Sequence, residues 1–281
     1  MGLVAASLKL ITLKDNPYIM ANLVSLQKPD SPESFEPWFE QKFSIRLASY
    51  KNYYENTVID LKNQFVESPF WKKLGDSLNE IDDIFLKEKG VRLFSKAELP
   101  NVVTKSYKSL LNKVFRKDVL HNAQFPSSPD NGWITHENWF ERIHDLVRTS
   151  FEVKYLDGVK FLLERMQNVA NETGTAFSYS FEAREEGYYA AHASVKVTME
   201  LLNQNWERTP VDVEVEIQVT TELQEMIKGL LHKYYEENRK KIYDSDYKWQ
   251  WDYSCEQFVP NYMGHIAHYI EGMIVDIRDK Q

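Results

Sequence analysis

VDVEVEIQVT, residues 211–220, alternates without a break. Val211, Val213, Val215, Ile217 and Val219 fall on one face, and Asp212, Glu214, Glu216, Gln218 and Thr220 on the other. A period of two predicts a half-buried strand. One face belongs to a core, while the other collects three carboxylates, an amide and a hydroxyl on a single ribbon. A solvated edge strand has the same pattern. The acids therefore gain chemical meaning only if an acid from another strand meets them.

Working outward, Leu146–Tyr155, Ala176–Arg184 and Tyr189–Met199 also read as strands, with a helix over Leu156–Val169 between the first two. Helices are expected after the quoted strand, at Glu222–Ile242 and Asn261–Arg278. Upstream, apolar and aromatic residues recur at spacings of three and four from Trp38 to Lys89, a helical period that follows the helix-start or linker sequence KPDSPESFEP. A second helix is predicted over Val102–Val119, and HNAQFPSSPDNGW, residues 121–133, reads as a loop. Strands mixed with helices predict an α+β fold with one mixed β-sheet flanked by helices. The expected organisation is a helical N-terminal extension (1–95), a sheet-containing domain (96–242) and a C-terminal helical segment (243–281).

Composition narrows the function. A hydrophobic fraction of 43% and an aromatic fraction of 14% describe a packed globular chain. The net charge of −8 argues against general coating of nucleic acid, so any phosphate site must be a local cluster of cations. Cys255 is the single cysteine, which excludes an intrachain disulfide and a cysteine-based zinc site. The opening MGLVAASLKLITLKD lacks a basic region before its apolar run, a poor fit to a signal peptide, and no stretch reaches the apolar length of a membrane span. A soluble, cytoplasmic protein with no membrane contact is expected.

A local cation cluster is present in KSYKSLLNKVFR, residues 105–116. At about 100° per residue, Lys105, Ser109, Asn112, Lys113 and Arg116 share one side of a helix, opposite Leu110, Leu111, Val114 and Phe115. The stripe fits two descriptions, a polyphosphate grip or the solvated face of an amphipathic helix. Asp145, at the mouth of the strand LVRTSFEVKY, fits either a turn residue or a magnesium ligand.

Taken in order, KSYKSLLNKVFR (105–116), DLVRTSF (145–151), GYYAAH (187–192) and EIQVTT (216–221), with a weaker HKYYEENR (232–239), resemble the synthetase domain of RelA/SpoT-type alarmone synthetases. The first fits the family pattern KSxxSxxxK, and the set spans roughly residues 100–240. The resemblance implies a polymerase-β-type nucleotidyltransferase fold. It also implies Mg2+-dependent transfer of the β,γ-diphosphate of ATP to the ribose 3′-hydroxyl of GDP or GTP, the chemistry of (p)ppGpp synthesis. Carried over, Lys105, Ser109, Lys113 and Arg116 would grip the ATP phosphates, with Arg148 a substitute cation. Asp145 would hold magnesium, Glu216 would share the metal or act as base toward the 3′-hydroxyl, and Gln218 would support it. Tyr188 would stack on the acceptor base and His192 would lie beside the acceptor phosphates.

The chain departs from the family where several cations belong. Val103 replaces an arginine two residues before the lysine of KS; Arg148 and Ser150 replace the glycine and arginine of DxxGxR; Thr220 replaces the arginine of EIQIRT; and Glu186 replaces a lysine before GY. These losses fall mainly on the acceptor side. They keep open a toxin-like relative that pyrophosphorylates the 3′ end of tRNA, and a degenerate nucleotide-binding module. A metal-dependent phosphohydrolase built on His144-Asp145 lacks the further ligands it needs. His265 and His268 are expected to be packing or surface residues, and YKWQWDY (247–253) an anchor for the last helix, which could pack on the domain or on another subunit; a homo-oligomer or an antitoxin partner is possible.

Overall fold

The computed structural model describes residues 28–202, 207–231 and 248–281; the HKYYEENR stretch and the opening of the chain lie outside them. Ser31 opens helix α1 (Pro32–Phe43) with a capping box to Ser34, and Pro32 takes the first helical turn, so the proline-rich sequence there is a helix start. The long helical period resolves into three helices. Ser44, in the left-handed region at φ 54°, ends α1; α2 covers Leu47–Val66; α3 covers Pro69–Lys89, between the Ser68 cap and Gly90 at φ 72°.

Strand β1 (Val103–Thr104) precedes helix α4 (Tyr107–Phe115), which continues as a π-helical turn over Arg116–Leu120. The helix predicted from Val102 therefore begins five residues later. Val103 and Thr104 pair with Arg148 and Val147, and the Lys105 amide donates to the Leu146 carbonyl at 2.8 Å, so the sheet claims the backbone that a helix would need. Ser106 then caps α4 through the Ser109 amide. Lys105 is thus outside the helix whose stripe it was expected to share.

A short helix α5 (Trp139–Arg142) leads into β2 (Val147–Val153), followed by α6 (Leu156–Thr173), β3 (Ala176–Ala183), β4 (Tyr189–Leu202) and β5 (Arg208–Thr221). The sheet order is β1-β2-β5-β4-β3, with β2 and β5 parallel and the other neighbours antiparallel, a mixed sheet. Val213, Val215, Ile217 and Val219 are fully buried, as the alternation of the quoted strand requires. Helices α2, α3 and α6 pack over that face, and one continuous core joins Phe35, Tyr54 and Phe85 to Ile217. The opposite face carries the polar residues of β5, among them Glu214, Glu216 and Gln218.

Helix α7 (Glu222–Leu230) follows β5 directly, and α8 (Phe258–Asp279) closes the described chain. Asn261, Gly264, Ala267 and Glu271 of α8 are buried, whereas Val259, Ile266, Tyr269 and Ile277 are more than half exposed. Gly187, at φ 78°, meets α8 backbone to backbone. A Cβ added at Gly264 would lie 2.1 Å from the Gly187 carbonyl oxygen, so neither position has room for a side chain. Among the described residues, no helix is long and apolar enough to cross a membrane.

Candidate active site

The register of the sheet builds the site. Arg148, Glu216 and Ser194 share one row across β2, β5 and β4, and Ser150, Gln218 and His192 share the next. All point to the face opposite the valine-rich core. Asp145 lies just before β2, close enough to Glu216 for its charge to act on that carboxyl.

Two lysines close on Asp145. Lys105 Nζ lies 2.7 Å from Oδ2 and Lys113 Nζ 2.7 Å from Oδ1. Lys105 is fixed at its backbone, because its amide is bound to Leu146 and its carbonyl accepts from Tyr54 Oη at 2.8 Å. Lys113 arrives from the other end of α4. Burial pushes the Asp145 carboxyl up, but the two ammonium groups outweigh it and hold the group below the usual aspartate range. Burial likewise lowers Lys105, more than its contact with Asp145 raises it.

A second network surrounds Glu216. His192 Nδ1 donates to Glu216 Oε1 at 2.8 Å, while His192 Nε2 lies 3.0 Å from Glu182 Oε2 and 3.1 Å from Tyr188 Oη. Gln218 Nε2 donates to Tyr188 Oη, and Lys228 Nζ donates to Gln218 Oε1 at 3.4 Å. Burial raises Glu216, but the His192 hydrogen bond and charge prevail and keep it below the usual glutamate range. Burial raises Tyr188, so its phenol keeps its proton at neutral pH.

The two networks meet in one cavity of about 280 Å³. Lys113, Asp145, His192 and Glu216 line it, together with His144 and the serines at 178, 180 and 194. Lys105 joins the group through Asp145. Ser109 is exposed and bound to Ser106; Arg116 at the end of α4 is half-buried; neither lines the cavity. Arg148 is exposed on the same sheet face and close enough for its charge to lower Lys105. Tyr188 and Gln218 line a separate recess of about 20 Å³ with Lys228, and the Arg184 guanidinium sits 5.2 Å over the Tyr188 ring.

Four contributors were given no site role in the sequence, although Glu214 was placed on the polar face of its strand. Glu182 meets His192. Glu214 accepts from Ser194 Oγ at 2.8 Å and lies 3.1 Å from His144 Nδ1. Ser178 and Ser180 wall the cavity. The alternation in SYSFEA, residues 178–183, puts Ser178, Ser180 and Glu182 on one face, a signal available to a reader who knew which strand pairs with β4. His265 and His268 pack. His268 stacks on Tyr189 at 3.7 Å, and His265 Nδ1 lies 2.8 Å from Tyr189 Oη.

Among the described residues no group of three or more histidine, cysteine, aspartate or glutamate side chains is arranged to hold a metal ion. Asp145 and Glu216, two carboxylates on one cavity, fit magnesium, which takes one or two carboxylates and completes its shell with water and phosphate oxygens.

No family model matches the chain, and no curated protein matches it. Solved structures do. The chain is similar to a GTP pyrophosphokinase family protein from Streptococcus pneumoniae, at 16% identity and TM-score 0.48 over 78% of this chain and 93% of that one. It is similar to small alarmone synthetase 1 from Bacillus subtilis bound to its product pppGpp, at 15% identity and TM-score 0.49 over 78% and 96%. It is also similar to small alarmone synthetase 2 from Bacillus subtilis, at 16% identity and TM-score 0.45 over 79% and 100%.

Proposed function

We propose that the chain is an ATP-dependent pyrophosphotransferase that moves the β,γ-diphosphate of ATP to the 3′-hydroxyl of a nucleotide, with GDP or GTP the acceptor that the motifs imply. One observation carries the proposal. Both lysines of the KSxxSxxxK motif converge on Asp145, and Asp145 faces the same cavity as Glu216. Lys105 and Glu216 lie 111 positions apart in the chain (216 − 105), and a solvated helix face would have no reason to meet an acid from another element.

In this reading the Lys105 and Lys113 ammonium groups release Asp145 in part and turn to the ATP phosphates. Arg148, Arg116 and the Ser109 hydroxyl add to the grip from the rim. A magnesium ion held by Asp145 and Glu216 would offset phosphate charge. The acceptor 3′-oxygen attacks the β-phosphorus, the new O–P bond forms as the bond to the α-phosphate oxygen breaks, and AMP leaves. The hydroxyl proton passes to Glu216, which is ionised at neutral pH and oriented by His192. Such transfer depends on alignment and charge neutralisation more than on covalent catalysis. Gln218 supports the site by fixing Tyr188, which in turn meets His192.

An acceptor panel tests this. ATP and magnesium incubated with GDP, GTP or deacylated tRNA should give AMP and a pyrophosphorylated acceptor in at least one case. Release of ADP and phosphate alone would indicate a hydrolase, and ATP binding without turnover would indicate a sensor.

A further inference from the structure

We infer that the outer edge of β3 pairs with β3 of a second copy of this chain, antiparallel and about a two-fold axis at Tyr179, so that two sheets join into one. The inference goes beyond the transfer reading and does not depend on it. β3 is the last strand of the sheet, and among the described residues no strand pairs with its outer side. The direction of its backbone groups follows from the hairpin that leads to β4. The Arg184 amide donates to the Tyr188 carbonyl at 3.0 Å, and the register runs back from there, with Ala183 opposite Tyr189 and Glu182 opposite Ala190. Bonded and unbonded pairs alternate along antiparallel strands. Glu182, Ser180, Ser178 and Ala176 therefore turn their N–H and C=O groups to β4, while Phe181, Tyr179 and Phe177 turn theirs outward. Outward groups of this kind are a template for another strand, and protein edges are commonly blunted by proline, lysine or a bulge. β3 contains neither proline nor lysine, pairs with β4 without a break in register, and carries one charge, Glu182, near its end.

The sequence of the strand names its partner. FSYSF, residues 177–181, reads the same in both directions about Tyr179. Antiparallel pairing about a two-fold axis there sets Tyr179 against Tyr179, Phe177 against Phe181 and Ser178 against Ser180 of the second copy. The pairs that exchange hydrogen bonds are then those of Phe177, Tyr179 and Phe181, whose groups point outward. One register thus satisfies the backbone and matches the side chains. Phe181 is 58% exposed and Tyr179 36%. The rings already form a row along the strand, Phe177 to Tyr179 at 6.1 Å and Tyr179 to Phe181 at 6.0 Å. Pairing carries this row across the axis, and facing aromatic side chains stabilise a sheet. Glu182 meets Ala176 of the second copy, so no like charges oppose each other. Ser178 and Ser180 wall the active-site cavity, and the joined sheet would set the two cavities side by side on one polar face.

Sedimentation velocity of the full chain at rising concentration tests the pairing and should show a monomer passing to a dimer. Tyr179→Lys sets two ammonium groups against each other at the axis and should weaken the dimer tenfold or more, whereas Tyr179→Phe should keep it. If Tyr179→Lys fails to melt cooperatively, Phe181→Lys takes its place with the same expectation. Hydrogen exchange identifies the edge itself. The amides of Phe177, Tyr179 and Phe181 should slow as the dimer forms, while those of Ser178 and Ser180 stay protected throughout. A chain that remains monomeric at hundreds of micromolar would overturn the inference. So would a dimer indifferent to a folded lysine variant, as one built on α8 would be. Outward amides already protected in the monomer would also refute it, because another segment of the same chain would then hold the edge.

Discussion

At the scale of single residues, Asp145 is the pivot. Its two oxygens each take a lysine, and its carboxyl is held below the usual range. A group whose folded value is depressed stabilises the fold above its unfolded value, about 3.9, and loses that contribution as pH falls through the lower folded value. The stability difference between wild type and Asp145→Asn should therefore be fully present above about pH 4 and shrink on further acidification. Urea titrations at several pH values would check this; a difference that grows in acid would contradict the ion cluster. At Glu216, replacement by Gln keeps the shape and removes the base. Transfer should fall about 100- to 10,000-fold with ATP affinity retained, read by product formation and by nucleotide titration. Both acids were legible in the sequence because short motifs frame them. Glu182 and the cavity serines were not, because their partners depend on how β3 pairs with β4.

At the scale of elements, α4 shows what periodicity can and cannot decide. Its apolar side, Leu110, Leu111, Val114 and Phe115, is buried as the spacing predicts. Its start was misplaced, since pairing of Val103 with Arg148 is a long-range contact that leaves no trace in a local window. Ser106 sets the true start, and Ser106→Ala should cost about 1 kcal/mol of stability by chemical denaturation. The π-helical turn that follows buries Asp118, whose Oδ2 accepts the Ile134 amide at 2.8 Å. Burial lifts this carboxyl from 3.8 to about 7. Between those values the folded chain holds a proton that the unfolded chain releases, so wild-type stability falls as pH rises across the window. Asp118→Asn can still accept from Ile134 and should gain on wild type between about pH 4 and pH 7. Thermal melts of both proteins across that range would show it, and a constant difference would contradict the burial argument.

At the scale of the whole molecule, the helices before the sheet and the sheet itself share one core, and α8 reaches back to the Gly187 turn. Sequence pattern located the helices and strands, but nothing local in Gly264 announces a contact with a turn far upstream. Gly264→Ala would put a methyl group against the Gly187 carbonyl and push α8 away from the turn that carries Tyr188. Overpacking of this kind costs roughly 1–3 kcal/mol, and transfer should drop tenfold or more while ATP affinity holds, as measured by denaturation and steady-state kinetics. Beyond these parts, the molecule as a whole is assigned one reaction, and its stoichiometry is the most direct check. With γ-labelled ATP, magnesium and an accepted nucleotide, AMP should form mole for mole with label attached at the acceptor 3′ position, and both should fall together by about 100-fold or more in Asp145→Asn and Glu216→Gln. Label released as free phosphate with ADP, or transfer undiminished in either variant, would contradict the account.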